Sequence, residues 1–186
     1  MPFIDEQFLN ALKSSLVDEE EPDDGFSGEE LKALQKDAFL KVERLCAVRE
    51  QSSKALRERL VREGFDSRAV DYAIDRALSC GLLDDSRFAD VLIRTRLSAG
   101  KGMMGIEAEL VRYDIDPNRV QGWPLEYDVS LETEINRALK LLRRKPPHTK
   151  NIREAAYRRL IGKGYSSGVA SSAARLWFES SPESRG

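Results

Sequence analysis

The chain has 186 residues, 41% of them hydrophobic and 33% charged, with a formal net charge of −2 at neutral pH. That balance fits thin helical modules with a wide solvated surface better than one deep globule, and no stretch approaches the roughly 18 apolar residues of a helical membrane span. Met1 to Glu6 lack the basic, then apolar, then small-residue order of a secretory signal, so the expected location is the cytoplasm.

The small net charge hides an asymmetry. Residues 1–30 hold ten acidic side chains and Lys13 alone, a net of −9, which leaves 29 Lys and Arg against 22 Asp and Glu in residues 31–186. The run Asp18-Glu19-Glu20-Glu21-Pro22-Asp23-Asp24-Gly25 has no apolar period, repels itself and contains both chain breakers. Residues 1–30 are therefore expected to form an acidic, mobile extension, with a short helix over Phe3 to Leu16. Two uses fit such an arm: competing with an acidic partner for the basic body, or keeping the chain soluble.

From about Glu29 onward apolar residues recur at three- and four-residue steps, and no β-branched run alternates with polar residues, so the expected fold is all-α. Residues 31–83 read as a first three-helix unit. Leu40, Leu45 and Val48 mark the inward face of a leading helix, Phe39 to Arg49. Ser52 or Ser53 then caps a second helix, Lys54 to Glu63, with Leu56 and Leu60 inward and Glu58 at pairing distance from Arg62. Gly64 supplies a left-handed stop, and Phe65 folds back on the core. Asp66 or Ser67 caps a third helix that buries Val70, Ile74, Ala77 and Leu78. Cys46 and Cys80 lie far apart, outside any Cys-x-x-Cys pair, and read as small buried hydrophobes.

The connector Gly81-Leu82-Leu83-Asp84-Asp85-Ser86-Arg87-Phe88-Ala89 leads into a second unit, residues 84–126. Gly81 ends a helix, Leu82 and Leu83 close the core, Asp84 or Asp85 caps the next helix, and Phe88 plugs the new unit. Adjacent carboxylates make a good cap and a poor metal cage. The pattern then repeats at a fixed period. Leu60, Phe65 and Val70 return as Leu110, Ile115 and Val120, and again as Leu160, Tyr165 and Ala170. Leu56 corresponds to Ile106 and Ala156, the stop Gly64 to Asp114 and Gly164, and the cap Asp66 to Asp116 and Ser166. Leading helices over Arg87 to Leu97 and Leu131 to Arg144 complete the series. The fold expected is three tandem three-helix repeats in an elongated arrangement, the third covering residues 127–180 and followed by a tail, 181–186.

Between Arg137 and Arg175 stand eleven Lys or Arg against Glu154 alone. The basic face expected to meet a partner comprises Arg94, Arg96 and Lys101 in the middle unit. In the last unit it comprises Lys140, Arg143, Arg144, Lys145, Lys150, Arg153, Arg158, Arg159 and Lys163. Such clustering suits a phosphate backbone or an acidic protein groove. The third helices lack the Arg, Asn and Gln set that reads base edges, so sequence-specific duplex recognition is excluded. The Walker, Gly-x-Ser-x-Gly and His-Glu-x-x-His patterns are absent, His148 is the lone histidine, and Gly100-Lys101-Gly102 is too short to cradle a phosphate. No enzyme, metal or cofactor is expected.

The connector Leu82-Leu83-Asp84-Asp85-x-Arg87-Phe88-Ala89 resembles that of the RecX family, bacterial regulators of the RecA recombinase. The stretch Arg49-Glu50, Leu56, Leu60, Gly64, Phe65 is similar to that family's first repeat. Gly102, Ile106, Glu109-Leu110 resemble its second, and Leu160, Lys163-Gly164-Tyr165-Ser166 its third. Met103-Met104-Gly105 and Tyr113-Asp114 depart from the basic residues and the Lys-Gly found in relatives. The resemblance implies a monomeric, three-module body that lies in the groove of the RecA–single-stranded-DNA filament. There it bridges subunits and restrains ATP hydrolysis, strand exchange and filament growth. The alternative is a helical module that binds single-stranded nucleic acid without RecA.

Overall fold

The computed structural model describes residues 27–147, 149 and 151–180. The expected acidic arm lies almost entirely outside them, as do His148, Lys150 and the 181–186 tail. The described residues form eight α-helices and no strand: α1 Gly28–Cys46, α2 Ser53–Arg62, α3 Ser67–Ser79, α4 Asp85–Ser98, α5 Met103–Arg112, α6 Leu131–Arg144, α7 Ile152–Gly162 and α8 Ser167–Ser180. No helix among them is long and apolar enough to cross a membrane.

Three separate cores confirm the tandem plan. The first gathers Ala38, Val42, Leu56, Leu60, Val70, Ile74 and Leu83, the second Ala89, Leu92, Ile93, Ile106 and Leu110, and the third Ala138, Leu142, Leu160, Tyr165, Val169 and Trp177. Leu60, Leu110 and Leu160 each sit at 0% exposure, so truncating any of them to Ala is expected to cost about 2–5 kcal/mol. The stop recurs as read. Gly64, Asp114 and Gly164 all have positive φ (91°, 59° and 81°). The amides of Phe65, Ile115 and Tyr165 return to the carbonyls of Leu60, Leu110 and Leu160 at 3.1, 3.1 and 3.2 Å. Asp66, Asp116 and Ser166 accept from the amides that follow them.

The leading helix of the first unit differs from its expectation. A capping box between Ser27 and Glu30 starts α1 at Gly28, so residues 28–30 belong to a helix and not to the extension. The longer helix sets another inward register: Ala38 and Val42 are buried, with Leu34 and Leu45 beside them, whereas Leu40 and Val48 are exposed. Leu78 is exposed too, and so is Cys80, while Cys46 is only half-buried. On α2 the ion pair forms between Arg59 and Glu63 at 2.8 Å, joined by Lys41 from α1, and holds the Glu63 carboxyl down at about 2.

The middle unit has two α-helices, with 3₁₀ turns at Pro117–Arg119 and Leu125–Tyr127 in place of a third. Gly122 takes a positive φ, and Pro124 has no amide to donate, so an α-helix cannot run through this stretch. Aromatic residues fill the space instead. Trp123 stacks edge-on against Tyr127, and Phe88 against Tyr113. The Trp123 indole donates to Glu107 and the Tyr127 hydroxyl to Asp90.

Neighbouring units meet through equivalent positions. In the first joint Asp85 accepts from the Ser53 amide at 2.8 Å and from its hydroxyl at 2.5 Å. Arg87 bonds Glu50 at 2.6 Å, and Lys54 pairs with Asp114 at 2.8 Å. In the second joint the Glu134 carboxylate accepts from the Met103 amide at 2.7 Å. The amides of Gly102 and Gly105 donate to the carbonyls of Lys163 and Gly164, both at 3.0 Å. The second helices of the first two units thus each have their first amide capped by a carboxylate from the first turn of the following unit's leading helix.

Candidate partner-binding surface

The connector residues are consumed by structure. Leu83 is buried and Leu82 packs beside it in the first core. Asp84 caps α4 by accepting from Ser86 and Arg87. Asp85 turns the other way, to Ser53, so the two carboxylates do not converge. Arg87 spans to Glu50 and to the Leu82 carbonyl, and Ala89 is buried. Among the described residues no His, Cys, Asp and Glu cluster suits a metal.

The expected basic face splits in two. In the middle unit all three cations are engaged by two carboxylates, Asp90 and Glu109, which leaves one net positive charge. Arg94 forks onto Asp90 at 2.9 Å with Tyr127 against its guanidinium. Arg96 and Lys101 both grip Glu109, at 2.5 Å each. Glu109 is 12% exposed, and its carboxyl is held at about 2, chiefly by the Arg96 hydrogen bond, with Lys101 adding to it.

The third unit is different. Pro146-Pro147 stop α6, which ends in Lys140, Arg143, Arg144 and Lys145, all exposed and none in an ion pair among the described residues. The helix carbonyl end favours cations there. On α7, Arg153 and Lys163 are also exposed and unpaired. Arg158 reaches Glu154 at 3.7 Å, and Arg159 donates to the Lys145 carbonyl, tying α7 to the end of α6. Among the described residues of the expected face, six cations in this unit enter no ion pair: Lys140, Arg143, Arg144, Lys145, Arg153 and Lys163.

Two features escaped the sequence reading. Arg137 shares a face of α6 with Lys140 and Arg144, and all three line a cleft of about 540 Å³ between the second and third units. The i, i+3, i+7 spacing was the available signal. The other is a recurring exposed β-branched residue, Val61, Val111 and Ile161, at 50%, 58% and 41% exposure. Each occupies the same register near the end of its unit's second helix. Val61 and Val111 are each followed by an exposed cation, Arg62 and Arg112, that enters no ion pair among the described residues, whereas Gly162 follows Ile161 and the exposed Lys163 stands one position further on.

Tandem helical units that share one register, the last of them rich in exposed cations, define the described residues as a helical-repeat protein. Comparison with known proteins makes this specific. Residues 38–76 match the profile of the first three-helix domain of RecX. The chain is 32% identical over 132 residues to the regulatory protein RecX of Amycolatopsis mediterranei (strain U-32), covering 68% of this chain and 74% of that one. It is 34% identical over 101 residues to the RecX of Mycobacterium sp. (strain KMS), and the match spans 54% of each chain, about half the length of that relative. A crystal structure of regulatory protein RecX superposes with a TM-score of 0.61 over 96% of this chain and 79% of that one, at 16% identity. RecX from Lactobacillus salivarius gives a TM-score of 0.61 at 15% identity, over 78% of this chain and 97% of its own. The chain belongs to the RecX family of regulatory proteins.

Proposed function

We propose that this protein is a negative regulator of a RecA recombinase: as a cytoplasmic monomer it binds the RecA–single-stranded-DNA filament groove and restrains ATP hydrolysis, strand exchange and filament growth. The observation that carries this reading is the threefold recurrence of one exposed β-branched side chain, Val61, Val111 and Ile161, at the same register of each second helix, with a cation one position on in the first two units and two positions on in the third. A tandem array that repeats its contact element suits a partner that repeats its own surface. Each copy adds to the effective concentration of the next, so weak contacts sum to avidity. The free cations of the third unit supply electrostatic steering toward an acidic filament.

The test is ATPase inhibition with cognate RecA on single-stranded DNA. Wild-type protein is expected to inhibit at substoichiometric amounts. The triple variant Val61→Ser, Val111→Ser, Ile161→Ser is expected to weaken inhibition about tenfold or more through lost avidity. ATPase and strand exchange that stay untouched at molar equivalence would rule the reading out. Charge reversal at Arg153, Arg158 and Arg159 is expected to weaken inhibition as well, with a strong salt dependence.

A further inference from the structure

We infer that the cleft between the second and third units is a phosphate site that takes the backbone of a single nucleic-acid strand, with Arg137 as its anchor. The inference deepens the reading of the third unit's basic end as a partner surface, and it rests on that reading.

The cleft holds about 540 Å³, within the range of sites that take small ligands. One wall is α6, which presents Arg137, Lys140 and Arg144 at three- and four-residue steps along about 10 Å of helix. Lys140 and Arg144 are exposed and without a carboxylate partner among the described residues. Arg137 is half-buried, and its Nη2 donates to the Asp128 carbonyl at 3.3 Å. Its Nη1 is closed off from solvent and has no hydrogen-bond partner. A buried guanidinium N–H without an acceptor is destabilising, and native proteins seldom leave one so. Arg137 lines the cleft, so a turn of its guanidinium outward, giving up the long bond to Asp128, would bring this group to an acceptor entering there. The Gly100 carbonyl, on the facing wall, already accepts from the Tyr165 hydroxyl at 3.0 Å.

The facing wall is the carbonyl end of α4, Leu97 to Gly100. Its partial charge is about −0.5 against three full positive charges, so the cleft remains cationic, and the same carbonyl end explains how the three cations stand together when the cleft is empty. Asp128 also lines the cleft and takes one positive charge out of the balance. A phosphodiester fits what remains: guanidinium forks engage its two free oxygens in parallel, and cations in file along one helix follow a chain of phosphates. An acidic peptide would seek an apolar pocket beside the charges, and only Leu97, Ala99 and Leu141 offer apolar surface here.

The experiment measures fluorescence anisotropy of a labelled single-stranded oligonucleotide with full-length protein across a salt series, without RecA. Lys140→Gln and Arg144→Gln, both exposed and without a folding role, are each expected to weaken binding several-fold and to lower the salt slope by about 0.7. Arg137→Gln is expected to weaken it by tenfold or more, the loss of a charge-assisted fork, and Arg137→Lys to recover only part. Arg44→Gln, an equal loss of charge from α1, is expected to change little. Inorganic phosphate is expected to compete weakly, and polyglutamate no better than its ionic strength dictates. If Arg44→Gln costs as much as the three cleft variants, or if polyglutamate displaces the strand more effectively than a competing oligonucleotide, the inference is overturned. Loss of oligonucleotide dependence on the cleft with RecA inhibition intact refutes the cleft and spares the regulator. The reverse result refutes the regulator and spares the cleft.

Discussion

The two joints of this molecule occupy the same register and are built from different chemistry. In the first, Lys54 faces Asp114, and Asp85 reaches the amide and hydroxyl of Ser53. In the second, the positions equivalent to Lys54, Ala55 and Asp114 are Met104, Gly105 and Gly164. There backbone meets backbone: a Cβ at Gly164 would stand 2.3 Å from the Gly105 Cα, and one at Gly102 would stand 2.5 Å from the Gly164 carbonyl oxygen. A missing Cβ on each side lets the helices close until amides and carbonyls bond directly. Side chains bridge the first joint and leave Asp114 exposed at 72%. One docking register therefore supports a tight contact or a compliant one, and three glycines, Gly102, Gly105 and Gly164, decide which.

The comparison breaks most directly at Gly102. Its φ is −79°, so Gly102→Ala carries no dihedral penalty, and the clash is with backbone that cannot swing aside. A loss of about 2–3 kcal/mol is expected, read as a lower denaturation midpoint together with faster hydrogen exchange at Met103 and Gly105. A change within about 0.5 kcal/mol, the scatter of ordinary surface substitutions, would show that the close approach does not hold the joint.

The trans caps come next. Glu134 is 5% exposed, and Glu134→Ala leaves the first amide of α5 without an acceptor, because Gly102 has no side chain to cap it. About 1–3 kcal/mol is expected. Asp85→Ala should cost about 1 kcal/mol, since Ser52 still caps α2 through the Ala55 amide. Equal losses would erase the distinction between the joints.

Acid sharpens it further. Glu109 holds Lys101, whose Cε also lies where a Cβ on Gly105 would point. Its carboxyl sits at about 2 when folded and near 4.3 in an unfolded chain. The folded value is the lower one, so the stabilisation is complete above about pH 4.3 and disappears as pH falls toward 2. Glu63 titrates in the same window. The measurement is therefore urea midpoint against pH for wild type and Glu109→Gln, and the variant should lose part of the decline between pH 5 and 2.5.

The smallest effect is expected at Asp114. Its φ of 59° suits glycine better, while its pair with Lys54 is largely solvated. Asp114→Gly should change stability by no more than about 0.5 kcal/mol in the stabilising direction, and Lys54→Ala by a similar amount the other way. A loss above 1 kcal/mol for either would make the first joint as rigid as the second.

Local chemistry was legible where a single segment decides it. The Leu60–Leu110–Leu160 series, the left-handed stops and the Asp and Ser caps each depend on residues within one turn of each other. The register of α1 was misread because its N-cap, Ser27, lies thirteen residues before Leu40, the first apolar residue used to place it. That Arg96 and Lys101 share Glu109 was not legible, because a charge count does not see which carboxylate, thirteen or eight residues away on another helix, will come within reach. Gly102 was read only as the end of a Gly-Lys-Gly run and as a motif position of the second repeat, because nothing in its neighbours reveals that Gly164, sixty-two residues on, will rest against it.

By itself the sequence determined three helical units with a shared register, since hydrophobic period, capping and glycine's freedom at positive φ are all short-range. Which cations stay free, which carboxylates cap another unit and where a cleft opens were decided only by the tertiary structure. Those properties depend on distances between segments, and hydrogen bonds, Coulomb attraction and close packing act on distance in space whatever the separation along the chain.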